Sequence, residues 1–130
     1  MRPKKSILLY CADRELLSTT AFALRLHPYQ VVAIEDSMEA SLVAGDRCAA
    51  FACGVLIHAQ PGDLAGRLIH RILECASHMP LLVVDCAGDL APVRYADIVL
   101  YGKNTTTAHI LASLQMLCRR KPGPKARSAA

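Results

Sequence analysis

The sequence predicts an α/β fold built on a doubly wound, five-stranded parallel sheet, and three observations point to it. Five short apolar runs punctuate the chain, each stopped by turn-forming or polar residues. Within a run the apolar residues are continuous rather than alternating, as in Val55-Leu56-Ile57 and Leu81-Leu82-Val83-Val84, which marks strands covered on both faces. Segments of helical periodicity separate the runs, and strand, helix, strand in that order demands right-handed crossovers with helices on both sides of the sheet.

The first strand runs from Ser6 to Cys11. Asp13 follows as a candidate N-cap, and Arg14 to Leu26 reads as an amphipathic helix with Leu17, Ala21 and Leu24 inward, closed by His27-Pro28. Gln30 to Ile34 is the second strand, and a short second helix is expected from Asp36 or Ser37 to Ala44, ended by Gly45. The third strand, Gly54 to His58, leads into a Pro61-Gly62 turn and a helix capped by Asp63, with Leu64, Leu68, Ile69, Ile72 and Ala76 facing the core. Pro80 to Asp85 and Asp97 to Tyr101 are the fourth and fifth strands. Between them Cys86 to Ala96 offers close to the minimum of ~10–12 residues for a crossover, and Pro92 restricts any helix, so the fourth helix is expected to be shortened. The last helix is predicted from Thr106 to Cys118, with Ile110, Leu111, Leu114 and Leu117 buried.

Composition bounds the rest. A chain of 130 residues with 53% apolar content has room for one domain with a real core, placed at residues 1–119. The basic, Pro- and Gly-containing stretch at residues 120–130 is expected to be a disordered tail or linker stub, able at most to touch nucleic acid weakly. No apolar run approaches the ~20 residues of a membrane span, and no leader pattern follows Met1-Arg2-Pro3-Lys4-Lys5, so a cytoplasmic location away from membranes is expected. The six cysteines include no Cys-x-x-Cys pair and read as small buried hydrophobes in a reducing compartment.

The stretch from Gly54 to Gly66 carries the strongest functional signal. In doubly wound sheets the residue at the carboxyl end of a central strand lines the crevice; here that residue is His58, with Gly66 eight positions on. The other strand endings are Tyr10-Cys11-Ala12-Asp13, Val84-Asp85-Cys86 and Leu100-Tyr101-Gly102-Lys103. Element order and these endings, from Ser6 to Cys118, resemble the receiver domain of bacterial two-component response regulators. The resemblance implies a flavodoxin-like sheet with strand order 2-1-3-4-5 and a part in phosphorelay signal transduction. It also implies a magnesium-binding acidic pair after strand one and an acceptor aspartate after strand three. A Ser or Thr would follow strand four, and a lysine strand five.

Position by position, the chain departs from that pattern. Cys11 and Ala12 stand where the acidic pair would be, and Asp13 falls one place beyond, where capping the first helix suits it better. His58 replaces the acceptor, and Pro61 follows it by three residues instead of four. Imidazole can accept a phosphoryl group but does not replace a hard oxygen ligand for magnesium. Asp85 takes the Ser or Thr place, where a carboxylate repels a phosphoryl group. Lys103 is retained one residue late, because of Gly102, and is expected to pair with Asp85 or Asp13; Asn104 replaces the usual Pro. The aromatic switch position holds Val99 or Leu100, with Tyr101 projecting to the other side of the strand.

The expectation is therefore a pseudo-receiver: no enzyme, no cofactor, no phosphorylation at the usual site. It would act by protein–protein interaction with other signalling proteins or with itself, as a homodimer, through Ile98, Tyr101 and the outer side of the last helix. One alternative is a conventional regulator with a displaced acceptor among Asp13, Asp63 and Asp85. Another is a transition-metal or pH-sensing variant built on Cys11, His58 and Asp85, with Cys86 beside them. Nucleotide or flavin binding is disfavoured because Asp13 and Glu15 bring two acids to the helix start where an anion would sit. No Ser or Cys nucleophile has a base and orienting acid at a recognisable spacing. His27, His70, His78 and His109 read as surface residues.

Overall fold

The computed structural model describes residues 5–27, 29–36, 38–40, 42–43, 51–59, 71, 79–86, 97–101 and 106–119. In chain order they form β1 (Lys5–Cys11), α1 (Arg14–Arg25), β2 (Tyr29–Ile34), β3 (Cys53–His58), β4 (Leu81–Asp85), β5 (Ile98–Tyr101) and α2 (Thr107–Arg119). All strand pairs are parallel, and the sheet order is β2-β1-β3-β4-β5. The chain thus steps from β1 outward to β2, then back across β1 to β3, which puts the topological switch point between β1 and β3.

Burial follows position in the sheet. Every residue of β3 and β4 is buried, whereas the edge strand β2 alternates, with Tyr29, Val31 and Ile34 inward and Gln30 and Ala33 exposed. That is why the central strands read as unbroken apolar runs in the sequence. Strand pleating divides the core into two clusters. On one face Ile7, Leu9, Cys11, Val55, Ile57, Leu82 and Val84 pack against Leu17, Ala21 and Leu24 of α1 and Ile110, Leu114 and Leu117 of α2. On the other, Leu8, Tyr10, Ile34, Leu56, Leu81 and Val83 pack with Ala40, Phe51 and Met79. Gly54 serves this second face by having no side chain: a Cβ there would lie 2.8 Å from the Met79 methyl carbon and 3.4 Å from Leu81 Cδ1.

The helices begin and end where local chemistry dictates. Asp13 holds extended backbone angles (φ −87°, ψ 113°) and its Oδ1 accepts the Leu16 N–H at 3.2 Å, so it is the N-cap of α1. Glu15 in the first turn and Arg25 in the last complement the helix dipole, and the Arg25 guanidinium also donates to the Val31 carbonyl at 2.9 Å, tying the helix end to β2. After β2, Asp36 caps a helical segment by accepting the Met38 N–H at 2.9 Å, while buried Ala40 anchors it to the second cluster. At the opposite end of the sheet the Lys5 ammonium donates to the Cys118 carbonyl, holding the carboxyl end of α2 beside the start of β1.

The core positions expected for the first and last helices are those observed, with Leu111 half-buried and with Thr20 and Ser113 buried in addition. The expected helix from Asp63, the shortened fourth helix between Cys86 and Ala96, the turn at Pro61-Gly62, Lys103 and the tail at 120–130 lie outside the described residues. No helix among the described residues is long and apolar enough to cross a membrane.

Candidate functional site

The carboxyl edge of the sheet assembles from the ends of β1, β3 and β4. In register, Cys11 lies beside Ile57, His58 beside Asp85, and Asp85 beside Tyr101. Alternation then decides which side chains meet. Cys11 shares its face with Ile57, Val84 and Cys86, all packed in or against the α1/α2 cluster. His58 and Asp85 follow the parity of Leu56 and Val83 and belong to the opposite face, with Tyr10.

His58 and Asp85 are thus neighbours on adjacent strands, ~4.8 Å apart in backbone spacing. Both are polar groups in a buried setting, 5% and 1% exposed. The His58 carbonyl accepts the Cys86 N–H at 3.0 Å, extending the ladder just past β4. Tyr10, 3% exposed, completes this corner from β1. Burial raises its phenol above the ordinary range, and negative charge at Cys11 and Asp36 acts in the same direction. Tyr10 stands in the first strand ending and Asp36 at the start of the second helix, but neither is singled out as a site residue by the sequence. The parity of β1 was the signal that would have found Tyr10, since it alternates with Cys11.

The thiols are held neutral. Burial pushes Cys11 up to about 11 against a hydrogen bond from the Asp13 backbone that pulls the other way; the charges of Asp13 and Cys86 add to the rise. Cys86 is raised by burial first and by the adjacent Asp85 second. A thiol in that state is a poor nucleophile and a poor metal ligand at neutral pH.

The pleat sends Cys11 to one face and His58 with Asp85 to the other, and among the described residues no three His, Cys, Asp or Glu side chains gather to hold an ion. Cys11 and Cys86 do share a face, but β3 runs between their strands. Two strand spacings amount to ~9.6 Å, beyond the reach of a disulfide, and Cys11 and Cys86 are free.

Ala12 is exposed and offers no ligand; Asp13 is half-buried with one oxygen committed to the α1 cap. Next to it Arg14 pairs with Glu35 at 3.1 Å across the exposed rim. Ile98 and Leu100 are half-buried against the α1/α2 cluster and Val99 against the other, so Ile98 serves the core as well as the surface. Tyr101 ends β5 opposite Asp85.

No family model matches the chain, and no curated protein matches it. Solved structures do. A response regulator receiver domain protein from Clostridium thermocellum superposes with a TM-score of 0.78 at 17% identity, over 89% of this chain and 95% of that one. The non-phosphorylated HemR receiver domain from Leptospira biflexa gives 0.76 at 20% identity, over 94% and 100%. The receiver domain of sensor histidine kinase PA1611 from Pseudomonas aeruginosa PAO1, with a magnesium ion coordinated in its active-site cleft, gives 0.64 at 18% identity, over 90% and 99%. The chain has the receiver fold. Within the receiver fold Cys11 closes β1 with Ala12 just beyond it, His58 closes β3 and Asp85 closes β4, so Cys11, His58 and Asp85 stand at one edge of the sheet, divided between its two faces.

Proposed function

We propose that this receiver-fold chain is a signalling module that acts through protein–protein contact and takes no phosphoryl group at the position its fold would use. The observation that carries the reading is the content of the rim: a buried imidazole beside a buried carboxylate where a receiver holds its acceptor and its hydroxyl. Phosphoryl transfer to a carboxylate works by positioning and by neutralising charge with magnesium, a hard ion that takes oxygen ligands. Here the β1 end supplies a neutral thiol turned to the other face, then a methyl group, and the first available carboxylate, Asp13, is engaged in capping α1. Asp85 adds negative charge where an incoming phosphoryl group would arrive, which opposes transfer.

Output then rests on shape and surface. The outer side of α2 presents Ala112, Gln115 and Met116 to solvent, and β5 is an edge strand of the sheet. These are the positions at which another signalling protein, or a second copy of the chain, would dock. Because Ile98 also packs into the core, Met116, 58% exposed, is the cleaner position to change.

Incubation with acetyl phosphate and magnesium, followed by intact-mass measurement, tests the reading. No phosphoryl adduct is expected. An adduct that disappears in Asp13→Asn, Asp63→Asn or Asp85→Asn would instead establish a conventional regulator with a displaced acceptor.

A further inference from the structure

The two edges of the sheet are finished differently. β5 is 4 residues long, whereas β2 spans 6, Tyr29-Gln30-Val31-Val32-Ala33-Ile34, with no charge, proline or glycine among them. Shortness, charge and proline are the usual devices that keep an edge strand from pairing with another chain. The sequence of β2 supplies none of them.

Backbone hydrogen bonds fix which groups of β2 face outward. In a parallel pair one residue of each registered couple turns its N–H and carbonyl to the other strand while its partner turns them away. The Gly54 N–H donates to the Pro80 carbonyl at 2.8 Å, so Gly54 faces β4 and Cys53 before it faces β1. Cys53 is in register with Ile7, which therefore faces β2, and Ile7 is in register with Val31. Tyr29, Val31 and Ala33 accordingly turn their peptide groups away from β1. Two bonds agree with this: the Tyr29 N–H donates to the His27 carbonyl at 2.7 Å, and the Val31 carbonyl accepts from the Arg25 guanidinium at 2.9 Å. The Val31 N–H and the N–H and carbonyl of Ala33 have no partner among the described residues.

We propose that the outer edge of β2 is a strand-pairing surface for a second copy of this chain, and that Arg25 keeps it closed by occupying the Val31 carbonyl. The outward groups are self-complementary. A second copy turned antiparallel about Val31 sets Val31 against Val31 and Tyr29 against Ala33 at both ends, and every other two-fold register shortens the overlap. The paired strands bring no charge of their own, and beyond their ends Glu35 of one copy comes toward His27 of the other, so like charges do not meet. The carbonyl at the centre of that arrangement is the one that Arg25 holds from the last turn of α1. Pairing therefore has to displace a charged donor in both copies. β2 and β5 are opposite edges of the sheet, so this surface is separate from the docking face proposed above.

The experiment combines light-scattering mass over a concentration series with amide hydrogen exchange, in the native chain, Arg25→Ala and the double variant Arg25→Ala/Ala33→Pro. In the native chain the amides of Val31 and Ala33 are expected to exchange faster than those of Val32 and Ile34, which bond to β1. Arg25→Ala is expected to self-associate about 100-fold more tightly than the native chain, because a hydrogen bond from a charged donor is no longer lost in each copy. Protection at Val31 and Ala33 should rise with its mass. Proline at position 33 removes only an outward N–H, which an edge strand tolerates, and is expected to return the mass to that of the native chain. The reverse exchange parity in the native chain would overturn the proposal without any variant. So would an Arg25→Ala chain that associates no more than the native one, that associates without protecting Val31 and Ala33, or that stays associated with proline at position 33.

Discussion

Cys11 shows how a residue chosen for its place in the chain is governed by its surroundings. It sits at the end of β1, where a receiver would have an acid, yet it is fully buried and its thiol is pushed up to about 11. An unfolded chain releases the thiol proton near ~8.5, so the folded state holds the proton longer and binds more protons between the two values. The stabilisation is whole below that lower value and is lost as pH rises toward about 11. Urea unfolding at rising alkaline pH should show a loss of roughly 2–3 kcal/mol that Cys11→Ala does not share. Equal slopes in the two proteins would mean that Cys11 is solvated or already ionised. The position of Cys11 at a strand end was legible in the sequence. Its direction was legible too, through the alternation of β1, but a rim inferred from strand endings alone merges side chains that the pleat separates. Thr20 and Ser113 carry no hydrophobic periodicity, so the pattern that located the helices passed over them.

The elements themselves were read closely because the signals that set them are local. Unbroken Val, Ile and Leu runs mark strands covered on both faces, and β3 and β4 are covered in that way. The boundary between β1 and α1 rests on Asp13, which suits a cap better than a ligand. Replacing it by alanine should cost about 1 kcal/mol in chemical unfolding, while asparagine, which caps equally well, should cost a few tenths at most. If Asp13 were instead held against other carboxylates at a metal site, both replacements would relieve repulsion and raise stability in metal-free buffer. The reason for a cap here is topological. The chain must turn sharply from the carboxyl end of β1 into α1, and the first helical N–H groups need a partner at that turn.

At the scale of the molecule, a receiver fold is shared with proteins at 17–20% identity because what those chains have in common is a pattern of burial, and a sheet of order β2-β1-β3-β4-β5 follows from it. Fold and chemistry separate at the carboxyl edge. The burial pattern constrains which positions are apolar, and leaves the few polar positions at the strand ends free to be carboxylate, thiol or imidazole. The sheet order could be stated from the resemblance before any coordinates, whereas the corner made by Tyr10, His58 and Asp85 emerges only from register and parity. The central proposal is that, among the described residues, this corner offers no convergent set of the oxygen ligands that a hard divalent ion requires. Titration of magnesium into 15N-labelled protein, following the amides of Cys11 to Asp13, His58 and Asp85, tests that claim most directly. No saturable shift is predicted at those amides; a saturable one-site shift centred on Asp13 and Asp85 would contradict it.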